Sequence, residues 1–277
     1  TQRLVSAVVH PNYDAIQEAA TEGANMNRIW VNGAFTSPIP CVWQTTPRPL
    51  FLEQMLKNGS DVNYADRNGN TLLMYASGYE PQKYGFLPGK GNYSSADYAE
   101  LFLRYDADVS QQNKEGWTAL DYAVQLDDDM AAMNLLLSYG AEVTPVVLSH
   151  ALDFEGAYTH YQRIHKLVAL LDSSQTSTIL TPIFDAAIRG DNATVQELAT
   201  KTDLSEAERL QTLCHAVAFC NADTVRLLLA DGFGTIQTID AADNTLLQIA
   251  AMQNNTDVMN FLLKQGSWDT ESRDAAL

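Results

Sequence analysis

Apolar residues recur along the chain as short helical stripes separated by polar turns, and three stretches repeat the pattern in one register. Asp66 to Ala76 reads DRNGNTLLMYA, Asn113 to Ala123 reads NKEGWTALDYA, and Asp240 to Ala250 reads DAADNTLLQIA. Each begins with Asp or Asn, reaches Gly or Asp three residues on, then Thr two later, an apolar residue two after that, and Ala three further. The Asp or Asn together with the Gly predicts a tight turn in which one residue takes φ > 0. The Thr predicts a helix N-cap, and the apolar residue and the Ala, three apart, share one helical face.

A second apolar stripe ends at a fixed distance from a glycine. Met55-Leu56 precedes Gly59-Ser60-Asp61-Val62-Asn63, Leu136-Leu137 precedes Gly140-Ala141, Leu228-Leu229 precedes Gly232, and Leu262-Leu263 precedes Gly266-Ser267. A second helix closed by glycine at its C-cap accounts for this ending. A turn followed by two antiparallel helices resembles the ankyrin repeat, whose period is about 33 residues. The phase can be followed through Gln2, Ser37, Thr71, Thr118, Thr181, Gln211 and Thr245, with a degenerate fifth unit on Leu148 and Ala151.

The resemblance implies an all-α, ankyrin-like solenoid of about eight helix-turn-helix repeats with short β-turn connections. It implies one domain over residues 1–277, with repeats near 1–33, 34–65, 66–110, 111–143, 144–176, 177–205, 206–238 and 239–277. The family's usual His is absent, and Met74, Asp121, Phe184, Cys214 and Gln248 stand at that position. The position serves an intra-repeat hydrogen bond, so its loss bears on local stability and leaves the fold assignment intact.

Two gaps in the phase are long. Between the two helices of the third unit lies GYEPQKYGFLPGKGNYS, with four glycines and two prolines, which no packed helix tolerates. It carries Tyr79, Tyr84, Phe86 and Tyr93. A smaller insertion in the fifth unit, DFEGAYTHY, carries Phe154, Tyr158 and Tyr161, and the fourth unit has Asp127, Asp128 and Asp129 at the same place. All three fall between first and second helix, so they are expected to project from one edge. Tyr and Gly together make effective recognition loops, because Tyr offers large amphipathic area at small entropic cost. The competing reading folds the insertions back over apolar helix surface and leaves the three Asp as a solvated helix start.

In ankyrin-like stacks the turn tips and the inner face of the first helices bind partners. Position by position, the resemblance picks out Arg67, Asn68 and Asn70, then Lys114, Glu115 and Trp117, then Ala241, Ala242 and Asn244. Trp117 is either an exposed anchor or a plug between neighbouring turns.

With 17 basic and 34 acidic residues the net charge is −17. That sign repels phosphate backbones, so nucleic acid is excluded and a protein with a basic surface is the expected partner. There is no run of eighteen apolar residues, hence no membrane insertion. Three cysteines, Cys41, Cys214 and Cys220, do not form a disulfide framework. His160 and His165 diverge on a helix and Cys214 and His215 point about 100° apart, so neither pair makes a metal or nucleophile site. No catalytic residue, metal or cofactor is expected.

The expected function is a non-catalytic module, monomeric without its partner, that binds and occludes or neutralises a protein such as a bacterial toxin or enzyme. Alternatives are a secreted bacterial effector recruiting a host protein and, in another class, an enzyme built on the stack. Thr1 in place of an initiator Met fits a processed precursor, so the expected compartment is the bacterial periplasm or the cytoplasm.

Overall fold

The computed structural model describes residues 12–27, 29–31, 34–36, 49–78, 94–126, 130–152, 161–201, 204–240 and 242–266. The chain divides into two compact units, Thr1–Glu142 and Val143–Leu277. The first contains α1 (Tyr13–Thr21), β1 (Ile29–Val31), β2 (Ala34–Thr36), α2 (Pro49–Lys57), α3 (Leu72–Ala76), α4 (Ser95–Leu103), α5 (Ala119–Leu126) and α6 (Ala131–Ser138). The two strands form an antiparallel hairpin with Ile29 opposite Thr36.

The repeated phrase folds as its residues dictate. Asp66 Oδ1 accepts from the backbone N–H groups of Asn68 at 2.8 Å and Asn70 at 2.9 Å. Asn113 Oδ1 does the same for Glu115 at 3.0 Å and Trp117 at 2.9 Å. Gly69 and Gly116 then sit at φ +84° and +83°, where a side chain costs about 1–2 kcal/mol. Thr71 follows as the N-cap of α3, accepting from the Met74 N–H at 3.3 Å, and the helix buries Leu72, Leu73, Met74 and Ala76.

At two of the positions where the His is missing, the side chain present accepts a hydrogen bond back from the cap. Asp121 Oδ2 takes both the N–H and the hydroxyl of Thr118 at 2.7 Å, and Gln248 Oε1 takes the Thr245 N–H at 2.8 Å. The polar replacements keep the cap closed by a capping-box route.

Second helices end as expected in the first unit. At the end of α2 the Ser60 N–H reaches the Met55 carbonyl at 3.1 Å and Gly59 turns at φ +89°. α6 repeats this with Ala141, Leu136 and Gly140. After α4, Asp106 takes the glycine's place at φ +61°, a conformation that Asp tolerates better than most side chains. Within the unit α3 packs on α5, while α1 packs on α2, α2 on α4 and α4 on α6, so first and second helices form separate rows. Phe51, Leu52, Met55 and Leu56 of α2 are buried between its neighbours, each worth about 1.5–3 kcal/mol.

The second unit contains α7 (Pro145–Leu152), α8 (Tyr161–Leu170), α9 (Ser173–Thr176), α10 (Pro182–Ile188), α11 (Asn192–Lys201), α12 (Glu206–Phe219), α13 (Ala222–Ala230), α14 (Leu246–Met252) and α15 (Thr256–Gln265). The turn before α14 matches those of the first unit. Asp240 Oδ1 accepts from Ala242 and Asn244, and Asp243 takes φ +64°. Two features depart from the sequence reading. α12 starts at the cap Ser205, whose hydroxyl accepts from the Glu208 N–H while Glu208 accepts from the Ser205 N–H, so Gln211 is a mid-helix residue and not a cap. Gly266 is extended at φ −126°, so α15 does not close on a left-handed glycine.

Among the helices of this unit α8 packs on α10 and α12, both first helices. Arg189, just past α10, holds it there. Its guanidinium donates to the Val168 carbonyl at 3.1 Å and the Leu171 carbonyl at 3.0 Å, and pairs with Asp185 at 3.0 Å. No helix among the described residues is long and apolar enough to cross a membrane.

Candidate partner-binding surfaces

In the first unit the turns 66–70 and 113–117 pack backbone to backbone. The Lys114 N–H donates to the Asn68 carbonyl at 2.9 Å, and Asn113 Nδ2 donates to Asn70 Oδ1 at 2.8 Å. A Cβ on Gly69 would lie 3.0 Å from Asn113 Cα, so glycine is needed both for φ and for this approach. The contact leaves Arg67, Asn68, Lys114 and Glu115 exposed on adjacent tips. Asn70, chosen from the sequence for the same surface, is buried and committed to Asn113, so it is a structural residue.

Trp117 is half-buried, with its ring centroid 5.0 Å from that of Tyr122. The Tyr122 hydroxyl accepts from Asn113 Nδ2 at 2.8 Å, which ties the ring pair to the turn. In the preceding repeat Tyr75 makes the equivalent link with the roles reversed, its hydroxyl donating to Asp66 Oδ2 at 2.8 Å. Trp117 therefore packs against its own repeat while keeping part of the indole at the surface.

Tyr79, Tyr84, Phe86, Tyr93, Asp127, Asp128, Asp129, Phe154 and Tyr158 lie outside the described residues, and Tyr161 is placed only as the first residue of α8. The flanks of the long insertion are placed. Ser77 donates to the Leu73 carbonyl at 2.8 Å as α3 ends, and Ser94 caps α4 in a reciprocal box with Asp97. Segments 79–93, 127–129 and 153–160 thus connect α3 to α4, α5 to α6 and α7 to α8, each a first helix to its own second helix.

The sequence did not reveal a groove of about 460 Å³ in the second unit. Leu152, Ile183, Phe184 and Phe219 make its apolar walls, and Glu208, Gln211 and His215 stand among its polar residues. Phe184 occupies the place of the family's His and packs on the His215 ring at 5.1 Å, tilted by 45°, while Thr181 keeps the cap by accepting from the Phe184 N–H at 3.3 Å. A signal was legible in Ser205-Glu206-Ala207-Glu208, a capping box that starts α12 early and carries Glu208 to the groove. In the first unit a smaller groove of about 160 Å³ lies between α2 and α4, lined by Glu53, Asp97, Glu100 and Arg104 beside exposed Leu50.

Titratable groups in the second unit are tuned by burial. His165 and His215 are both held below the ordinary imidazole range by burial, opposed at His165 by a hydrogen bond with the Phe219 backbone. Burial, with Asp240 nearby, pushes the Cys214 thiol up to about 11, and deeper burial pushes Cys220 further up. Neither thiol supplies a thiolate at neutral pH. Among the described residues no group of three or more His, Cys, Asp or Glu is placed to hold a metal ion.

The family model for ankyrin repeats, in three copies, matches residues 44–146 and 172–274. The ankyrin repeat domain of Bcl-3, described as a unique member of the IkappaB protein family, is a similar solved structure. It shares 18% identity over 94% of this chain and 97% of its own, with a TM-score of 0.49. A search of the curated proteins found no match.

Proposed function

The chain belongs to the ankyrin-repeat family, whose members are in general non-catalytic protein–protein interaction modules, and from that premise we propose that it binds one protein and occludes part of its surface. The partner would be a toxin or an enzyme whose working face is covered, and this chain would be a monomer until it binds. The observation carrying this is the recurrence of Tyr-, Gly- and Asp-rich segments at one point of the repeat, the connection from first to second helix in three successive repeats. Loops of that length in compact repeat arrays are kept for function more often than for packing. The exposed tips at Arg67, Asn68, Lys114 and Glu115, with the surface part of Trp117, supply further contacts.

The net charge of −17 favours a basic partner surface and makes association salt-sensitive. A preformed helical stack loses little entropy on binding, so affinity comes from the aromatic anchors. The test is affinity capture from lysate of the source cell, with mass spectrometry of what is retained. One stoichiometric, basic protein is expected, released by raised salt; turnover of a small substrate by the purified chain alone would overturn the reading.

A further inference from the structure

We propose that the groove on α7, α10 and α12 seats an apolar side chain, aromatic or long aliphatic, carried next to a lysine or arginine on a segment of the protein partner. This deepens the binding reading above and rests on it. The volume, about 460 Å³, lies in the range of pockets that bury a large side chain or small ligand. About half of its lining is apolar, Phe184, Phe219, Ile183 and Leu152 included, and the small part of these side chains left exposed gains from excluding water.

Charge decides the identity of the occupant. Among the described residues Glu208 is the only charged residue lining the groove, and the guanidinium of Arg209, next to it in sequence, is engaged by the Leu204 carbonyl at 3.3 Å and the Phe233 ring. Ser205 fixes its position at the exposed rim, since both the Ser205 N–H at 2.9 Å and the hydroxyl at 2.7 Å donate to Oε2. Those bonds also hold the carboxyl below its ordinary range, and burial keeps the neighbouring His215 imidazole neutral. An apolar slot with one fixed anion at its mouth selects an apolar group flanked by a cation. An acidic segment is repelled.

The test selects displayed random peptides of about twelve residues on the immobilised full-length chain. Synthetic copies of the enriched peptides are then titrated against four forms: the unaltered chain, Glu208→Gln, Gln211→Glu and Gln211→Arg. Gln at position 208 preserves the capping acceptor, and Gln211 is exposed in mid-helix, so thermal unfolding should be unchanged in all three variants. The inference expects peptides pairing an aromatic or long aliphatic residue with Lys or Arg. Their affinity should fall about threefold with Glu208→Gln and about tenfold with Gln211→Arg, and rise with Gln211→Glu. Enrichment of acidic or uncharged peptides, equal binding by all four forms, or no enrichment at all overturns it. A captured protein partner that binds Gln211→Arg as well as the unaltered chain overturns the groove and leaves the binding reading standing; capture of nothing removes the reading itself.

Discussion

Asn63 and Asp108 are 45 residues apart, yet the Asn63 Oδ1 accepts from the Asp108 N–H at 2.7 Å while its Nδ2 donates to the Asp106 carbonyl at 3.2 Å. One amide thereby bridges two backbone groups of the next repeat. Asn27 makes the same bridge one repeat earlier, to the Asp61 N–H at 2.5 Å and the Gly59 carbonyl at 3.2 Å. The ladder stops at Ser110, too short to span, whose hydroxyl turns back to Asp108 at 2.6 Å. Replacing Asn63 by Ala should destabilise the chain by about 1–2 kcal/mol, two modest hydrogen bonds with partial exposure. Urea unfolding measures it, and an unchanged midpoint would remove the bridge from the account.

A different Asn performs a similar task inside the second unit at greater cost. Asn255 is 0% exposed, caps α15 through the Val258 N–H at 3.3 Å, and donates to the carbonyls of Val217 at 3.0 Å and Cys220 at 2.8 Å. Asn255→Ala leaves buried carbonyls unpaired and removes an N-cap, so about 3 kcal/mol should be lost. A loss no larger than that of Asn63→Ala would show that water replaces the amide.

The two turn glycines should differ although their φ angles agree. Gly116→Ala meets nothing within 4 Å and should cost only the backbone strain of about 1 kcal/mol. Gly69→Ala adds contacts of 3.0 Å and 3.1 Å with the Asn113 and Lys114 backbone, so it should cost at least twice as much. Equal melting temperatures for the two variants would contradict the close approach of the turns.

Acidification should weaken the second unit in two stages. His165 and His215 are depressed below the ordinary value of 6.5 mainly by burial, so their neutral forms stabilise the fold fully above pH 6.5. That stability is lost as pH falls from there through the folded values. At Asp185 burial acts upward, but the Arg189 pair and the Thr176 hydroxyl at 2.7 Å outweigh it and hold the carboxyl below 3.8. Its contribution persists above that value and disappears as pH falls below it. Urea midpoints against pH should fall first below about 6.5 and again below about 4, and His165→Gln with His215→Gln should flatten the first stage alone.

Much of this architecture was legible because the turn phrase has a local cause. Asp66, Gly69 and Thr71 make their bonds within a few residues of one another, so spacing alone reveals them. The same holds for the Gly59 and Gly140 ends. Gln211 was misplaced because the period suggested a cap where the chain had already capped at Ser205, and local capping chemistry outweighed the repeat spacing. Asn63, Asn255 and Arg189 were invisible for another reason: their partners lie in neighbouring repeats or helices, and no spacing within one unit encodes such a contact. The groove escaped notice on the same ground, since Leu152, Phe184 and Phe219 come together only when α7, α10 and α12 pack. Trp117 was identified from its odd turn position, but its pairing with Tyr122 required the structure.

The central claim is that the chain grips a protein through the segments that join first helices to second helices. The most direct measurement is the affinity of the captured partner for the chain with and without residues 79–93, alongside circular dichroism of both. The account predicts unchanged helical signal and at least a tenfold loss of affinity on deletion. Full affinity in a chain lacking those residues would contradict it.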